Sequence, residues 1–146
     1  LRLDLLAEEV AAAVRAEDSE IVAELGDSVV VDADMALLRQ AVENVVRNAA
    51  RRAPHVVLRT RVEGRDGVLA VSDDGPGFDP TVIGRVFERY QRGDRRGEAG
   101  IGLAIVRAIA VAHGGTATAA NRAGDDGETA GAVVSIRVPL SRSVYQ

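Results

Sequence analysis

Residues 101–112 read Ile-Gly-Leu-Ala-Ile-Val-Arg-Ala-Ile-Ala-Val-Ala. Twelve residues make about three turns of helix. A helix apolar on nearly every side has to be buried. Arg107 interrupts the run, and the run is too short to cross a bilayer. The rest of the chain must therefore cover it, and Gly114-Gly115 ends it.

The covering elements are legible in the periodicity. Leu3, Leu6, Val10 and Val14 recur at helical spacing, which predicts an amphipathic helix over 3–16. Short β-rich runs follow at 20–25 and 28–31, separated by the turn pair Gly26-Asp27. Asp34 is placed to cap a second helix running to about Arg52, with Met35, Leu38, Val42, Val45 and Ala49 as its core stripe. Pro54 ends that helix by disfavouring helical geometry at Ala53. Strands are predicted at 56–63 and 67–73, with Gly64 and Gly67 bracketing the turn between them. Residues 74–100 are irregular, with a short helix around 80–87, and a loop of that length is usually functional. Two more strands, 116–121 and 132–138, flank a polar turn at 123–131. The expected class is α/β, a two-layer sandwich with about three helices on one face of a mixed, largely antiparallel sheet. With 146 residues, no internal repeat and no linker, 1–146 is expected to be a single domain.

Composition removes several chemistries. There is no cysteine, so no disulfide, thiolate zinc site or thiol nucleophile. All 18 basic residues are arginine, which removes the P-loop lysine and Schiff-base chemistry. A net charge of −4 and four aromatic residues argue against nucleic acid as a partner. No signal-peptide pattern opens the chain; it begins at Leu1, and the expectation is a soluble piece of a longer protein.

Four short patterns can carry chemistry. Asn44 and Asn48 are four apart and share a helix face with Arg51, roughly 120° from the core stripe. Amide oxygens and a guanidinium there suit a magnesium–phosphate pair, and they also suit a solvated face. Asp73-Asp74-Gly75-Pro76-Gly77-Phe78 puts a carboxylate at a strand end. That carboxylate can accept from the exocyclic amine of adenine and would repel the guanine carbonyl; the same residues also make an ordinary turn. Gly100-Ile101-Gly102-Leu103 enters the apolar helix, where free N–H groups can meet phosphate oxygens. Arg85, Arg89, Arg92, Arg95 and Arg96 crowd the stretch between, as a phosphate-clamping lid or a charged surface. His113 reads as structural, satisfying the end of a helix.

The series Asn44-Val-Val-Arg-Asn48-Ala49, Asp73-Asp-Gly75-Pro-Gly77, Phe87-Glu-Arg-Tyr90, Gly100-Ile-Gly102-Leu103 and His113-Gly114-Gly115, led in by Leu37-Leu38-Arg39-Gln40, closely resembles the catalytic ATP-binding domain of bacterial two-component sensor histidine kinases. The resemblance covers essentially the whole chain and implies the Bergerat fold. It implies ATP and Mg²⁺ as cofactors, with Asn48 on the metal and Asn44 near the phosphates. Arg51 stands where the family often has a phosphate-binding lysine. Asp73 matches the adenine-reading carboxylate, while Gly75 and Gly77 shape the base pocket. Phe87 and Tyr90 match the aromatic pair at the near end of a lid, and Arg92 matches a lid arginine that reaches the γ-phosphate. Gly100 and Gly102, with Ile101 and Leu103, match the phosphate-side glycine box. Asn44 and Arg92 are the implied catalytic residues. The implied acceptor is a histidine on a separate dimerisation domain of the same protein, and the implied downstream partner is a response regulator receiver domain. The fragment is expected to be monomeric, the full-length protein a homodimer, and the domain a cytoplasmic part of a membrane-anchored sensor.

Three positions depart from the family pattern. Glu98 replaces an earlier glycine, Arg52 replaces a tyrosine that packs near adenine, and the segment from Tyr90 to Gly100 is short, which implies a small lid. The aliphatic stem of Arg52 is expected to cover the base. Within the same superfamily, a gyrase-type ATPase places a water-activating glutamate four residues before the magnesium asparagine. Here that position is Asn44, and Glu43 points about 100° away. An ATPase module and an anti-sigma-factor serine kinase are the alternatives.

Overall fold

The computed structural model describes residues 1–24, 26–88 and 98–142, with 98–101 described in backbone only. Among the described residues, three α-helices and five strands follow in the order α1 (Leu3–Ala13), β1 (Glu20–Glu24), α2 (Met35–Ala50), β2 (His55–Glu63), β3 (Asp66–Asp73), α3 (Glu98–Ala112), β4 (Thr116–Ala123) and β5 (Thr129–Pro139). The sheet order is β1-β2-β3-β5-β4; β1 lies parallel to β2, and the other pairs are antiparallel.

The helices share one face of the sheet. Leu58, Leu69, Val71, Val134, Ile136 and Val138 meet Leu3, Leu6, Val10, Leu38, Val42, Val45, Leu103 and Val106 in one apolar cluster. Fully burying each large aliphatic side chain contributes about 1.5–3 kcal/mol. α1 packs over β1 and β2, α2 over β3, and α3 against α2 and β4. The opposite face carries ion pairs instead, Arg59 with Glu24 (2.6 Å) and Arg137 with Glu63 (2.9 Å). The two-layer α/β expectation therefore holds.

Several boundaries differ from the sequence reading. α1 stops at Ala13, because Val14 is already extended (φ −75°, ψ 123°). Residues 28–31 are not a strand of the sheet; Val30 and Val31 make single bridges to Arg2 and Leu140. Val29 and Val31 are nevertheless fully buried, so their β-branched character serves the core rather than a ladder. Met35 opens α2 and is 51% exposed, so the core stripe begins at Leu38. The helix expected around 80–87 shrinks to one 3₁₀ turn, Ile83–Arg85. α3 starts at Glu98, three residues earlier than predicted.

α2 is fixed at its start by the expected cap and by one addition. Asp34 Oδ1 accepts from the Leu37 N–H (3.0 Å). The Asp34 N–H donates to His113 Nε2 (3.0 Å), while His113 Nδ1 faces the Ile109 carbonyl (2.8 Å). A carbonyl only accepts, so Nδ1 carries the proton and the ring is neutral. His113 thus ties the end of α3 to the start of α2, the structural role read from the sequence.

Candidate functional site

Strand β3 delivers Asp73 into its last ladder position, opposite Val56 of β2 and Ala132 of β5. The residue is 3% exposed. Its Oδ1 accepts from the N–H groups of Gly75 (3.0 Å) and Ala132 (3.2 Å). Its Oδ2 accepts from Arg52 Nη2 (3.2 Å). Its carbonyl accepts from Arg122 Nη1 (2.8 Å). A carboxylate held by two backbone donors is fixed in orientation, and only Oδ2 is not committed to backbone.

The loop after Asp73 is shaped from both sides. A Cβ on Gly75 would stand 2.6 Å from the Arg52 carbonyl, so only glycine lets the loop lie on the end of α2. Gly77 has φ +79°, and a Cβ there would meet Thr129 at 2.6 Å and Asn121 at 2.8 Å. Asn121 of β4 then grips the next residue with both ends of its amide. Its Oδ1 accepts from the Phe78 N–H (2.7 Å), and its Nδ2 donates to the Phe78 carbonyl (2.9 Å). Asn121 and Arg122 were not singled out from the sequence. The available signal was one of only three asparagines in the chain, set in a strand of small residues.

Arg52 joins the two halves of the site. Its guanidinium lies 4.0 Å from the centre of the Phe78 ring and pairs with Asp73. Its Nε–H is buried without a hydrogen-bond partner. Burial pulls the guanidinium below its ordinary value, and Asp73 works against that. The guanidinium, rather than only the stem, is what reaches the pocket.

On α2 the expected polar face is not solvated. Asn48 is only 6% exposed and Asn44 is half-buried, because α1 and α3 cover α2 from both sides. The Asn48 amide oxygen is a hard, uncharged donor of the kind Mg²⁺ accepts. Among the described residues no group of three His, Asp or Glu could hold a metal. A cation at Asn48 would therefore take most of its ligands from phosphates and water. Arg51 is exposed and lines a separate hollow of about 210 Å³ with Val14, Arg15, Ala16, Arg47 and Ala50. It is not brought together with Asp73.

The remaining residues are distributed as follows. Phe87 is half-buried and faces α3 across an open hollow with Ala104, Ala108 and Val111. Leu103 is fully buried in the core. Because α3 begins at Glu98, Gly100 lies in its first turn and Gly102 just beyond. Gly100 and Ile101 are described in backbone only, and Tyr90 and Arg92 lie outside the described residues. Beside the site, His55 binds Asp74 through its backbone N–H (2.9 Å) and ring Nδ1 (2.6 Å). Burial raises the Asp74 carboxyl, but the His55 contacts outweigh it and the net direction is down.

Residues 33–142 match the family described as histidine kinase-, DNA gyrase B-, and HSP90-like ATPase. The histidine protein kinase DivJ of Caulobacter vibrioides is 38% identical over 117 residues, 75% of this chain and 19% of DivJ. The chain spans only about a fifth of the length of the curated relatives it first matches. Among solved structures, the mycobacterial sensor histidine kinase MprB superposes with a TM-score of 0.80 at 28% identity, covering 96% of this chain and 95% of that one. The ATP-binding domain of PrrB from Mycobacterium tuberculosis gives 0.75 at 28% identity, covering 97% and 96%.

Proposed function

Since the chain belongs to the histidine kinase-, DNA gyrase B-, and HSP90-like ATPase family, we propose that residues 1–146 form one ATP-binding catalytic domain that binds Mg-ATP and donates its γ-phosphoryl to a histidine on a separate dimerisation domain. The observation that carries the reading is Asp73, buried and oriented by two backbone donors with one oxygen directed away from the backbone. That oxygen accepts from the adenine amine and repels the guanine carbonyl.

Asn48 would hold Mg²⁺ through its amide oxygen, and Asn44 would stand beside the phosphates. When bound, the ion would supply charge neutralisation for the transferring phosphoryl. The other residues bind and orient. Asp73 fixes the base, and Gly75 and Gly77 let the backbone approach it. In the transfer the γ-phosphorus–oxygen bond to ADP breaks and a phosphorus–nitrogen bond to the acceptor histidine forms. Water is a poor competitor in this site. Asn44 occupies the position of a general base, and Glu43 is turned to Arg47 (3.3 Å). His113, bonded through both ring nitrogens, has neither free to accept a phosphoryl.

The domain serves a two-component sensor whose phosphohistidine passes its phosphoryl to a response regulator receiver domain. The full protein is a homodimer anchored in the membrane, with this domain on the cytoplasmic side. No helix among the described residues is long and apolar enough to cross a membrane. Calorimetric titration with ATP and GTP, each with and without Mg²⁺, tests the reading. ATP should bind, GTP should be at least tenfold weaker (about 1.4 kcal/mol), and Mg²⁺ should strengthen ATP but not adenosine. Equal binding of ATP and GTP would remove Asp73 from base recognition.

A further inference from the structure

Arg52 makes two contacts that a purine would make in the same place. It gives an N–H to Asp73 Oδ2 at 3.2 Å, and it lies with its charged plane 4.0 Å from the centre of the Phe78 ring. Adenine would give its exocyclic amine to the same oxygen and stack a face on the same ring. A guanidinium at that distance is already in van der Waals contact, so no aromatic ring fits between it and Phe78. Oδ1 offers no alternative, because the N–H groups of Gly75 and Ala132 occupy it.

The contact is also poorly made. It has one arm where Arg–carboxylate pairs can have two, and Arg52 Nε–H stays buried and unpartnered. A buried donor without an acceptor is costly. The arrangement therefore holds the slot while remaining easy to displace.

We propose that Arg52 is an internal stand-in for the base: its guanidinium occupies the adenine slot between Asp73 and Phe78, and nucleotide binding must first displace it. Arg52 thus sets nucleotide affinity from within the domain. This rests on the reading of Asp73 as the adenine acceptor.

The test compares the unmodified chain with Arg52→Met, which keeps a stem of similar length and loses the charge and the planar donors. Adenosine and ATP are titrated into each by calorimetry. Arg52→Met should bind both about tenfold more tightly, the worth of a hydrogen bond to a charged group at its lower end. The gain should be equal for the two ligands, because the competition is at the base. Affinity that is unchanged or lower in Arg52→Met would overturn the proposal. Removing the cation beside a buried carboxylate could also unfold the variant, so a second measurement uses the unmodified chain. With ¹⁵N-labelled arginine, the Arg52 Nε–H resonance should lose its ring-current shift from Phe78 as adenosine saturates the site. A signal unmoved at saturation would overturn the proposal. Failure of the unmodified chain to bind either ligand would instead refute the adenine reading, and this inference with it.

Discussion

Asp4 at the start of α1 and Asp73 at the end of β3 are both buried carboxylates facing an arginine, yet they are built to different standards. Arg2 meets Asp4 with two arms, Nε at 2.9 Å and Nη2 at 2.6 Å, and the Val29 N–H adds a third bond at 3.0 Å. Every group there is satisfied, and Arg2 keeps its outer side in water. Arg52 meets Asp73 with one arm at 3.2 Å, is itself mostly buried, and leaves Nε–H without a partner. The same two residue types thus make a staple at one place and an open contact at the other. Incomplete satisfaction of buried polar groups is uncommon in native proteins, and it marks where a ligand completes the set.

The largest expected effect is at Asp73. Asp73→Ala would strip the Gly75 and Ala132 N–H groups as well as Arg52, so it would disturb the fold along with the pocket. Asp73→Asn keeps an acceptor for the backbone and removes the charge. It should lower ATP affinity by roughly 10- to 150-fold, from about 1.5–3 kcal/mol for a bond to a charged group. Calorimetry checks this, and near-unmodified affinity would break the contrast with Asp4.

Asp4→Asn should do the opposite, costing stability and sparing ATP binding. The two-armed bond from Arg2, against the cost of burial, holds the Asp4 carboxyl down to about 2 from 3.8. A carboxyl lowered on folding adds stability above its unfolded value and loses it as pH falls through the folded value. The shift is worth about 2 kcal/mol. Urea unfolding should show that gap between the two chains at pH 7, and it should close as pH falls from about 4 towards 2. A constant gap would show that packing, not charge, holds this end.

Asn121→Ala sharpens the comparison from the loop side. Leaving the Phe78 N–H and carbonyl without their clamp should cost about 1–2 kcal/mol and weaken ATP several-fold, read together from a denaturation midpoint and a titration. Loss of stability with unaltered affinity would make Asn121 purely structural. The smallest effect is expected at His113, which sits in a satisfied contact like that of Asp4. His113→Ala should cost about 1 kcal/mol and leave ATP affinity unchanged; a change in affinity would tie α3 to the pocket.

Legibility followed sequence distance. The stripe Leu38, Val42, Val45 and Ala49 was readable because a helix repeats its buried face every three to four residues, while Met35, at the first position of α2, is exposed although it lies on that spacing. Val29 and Val31 looked like a strand because β-branched burial and strand pairing share one signature. Asp73, Gly75 and Gly77 were readable as a motif with a mechanism. Their partners were not. Arg52 is 21 residues from Asp73 and Asn121 is 43 from Phe78, and only the folded sheet brings them together. The lid expectations at Tyr90 and Arg92 fall on residues outside those described.

Phosphoryl transfer is tested most directly by incubating the chain with Mg²⁺ and γ-labelled ATP, alone and with its cognate dimerisation domain. Acid-labile label should accumulate on the added domain and not on the chain itself. Rapid phosphate release by the chain alone, or stable label on His55 or His113, would contradict the assignment of a phosphoryl donor whose acceptor lies on another domain.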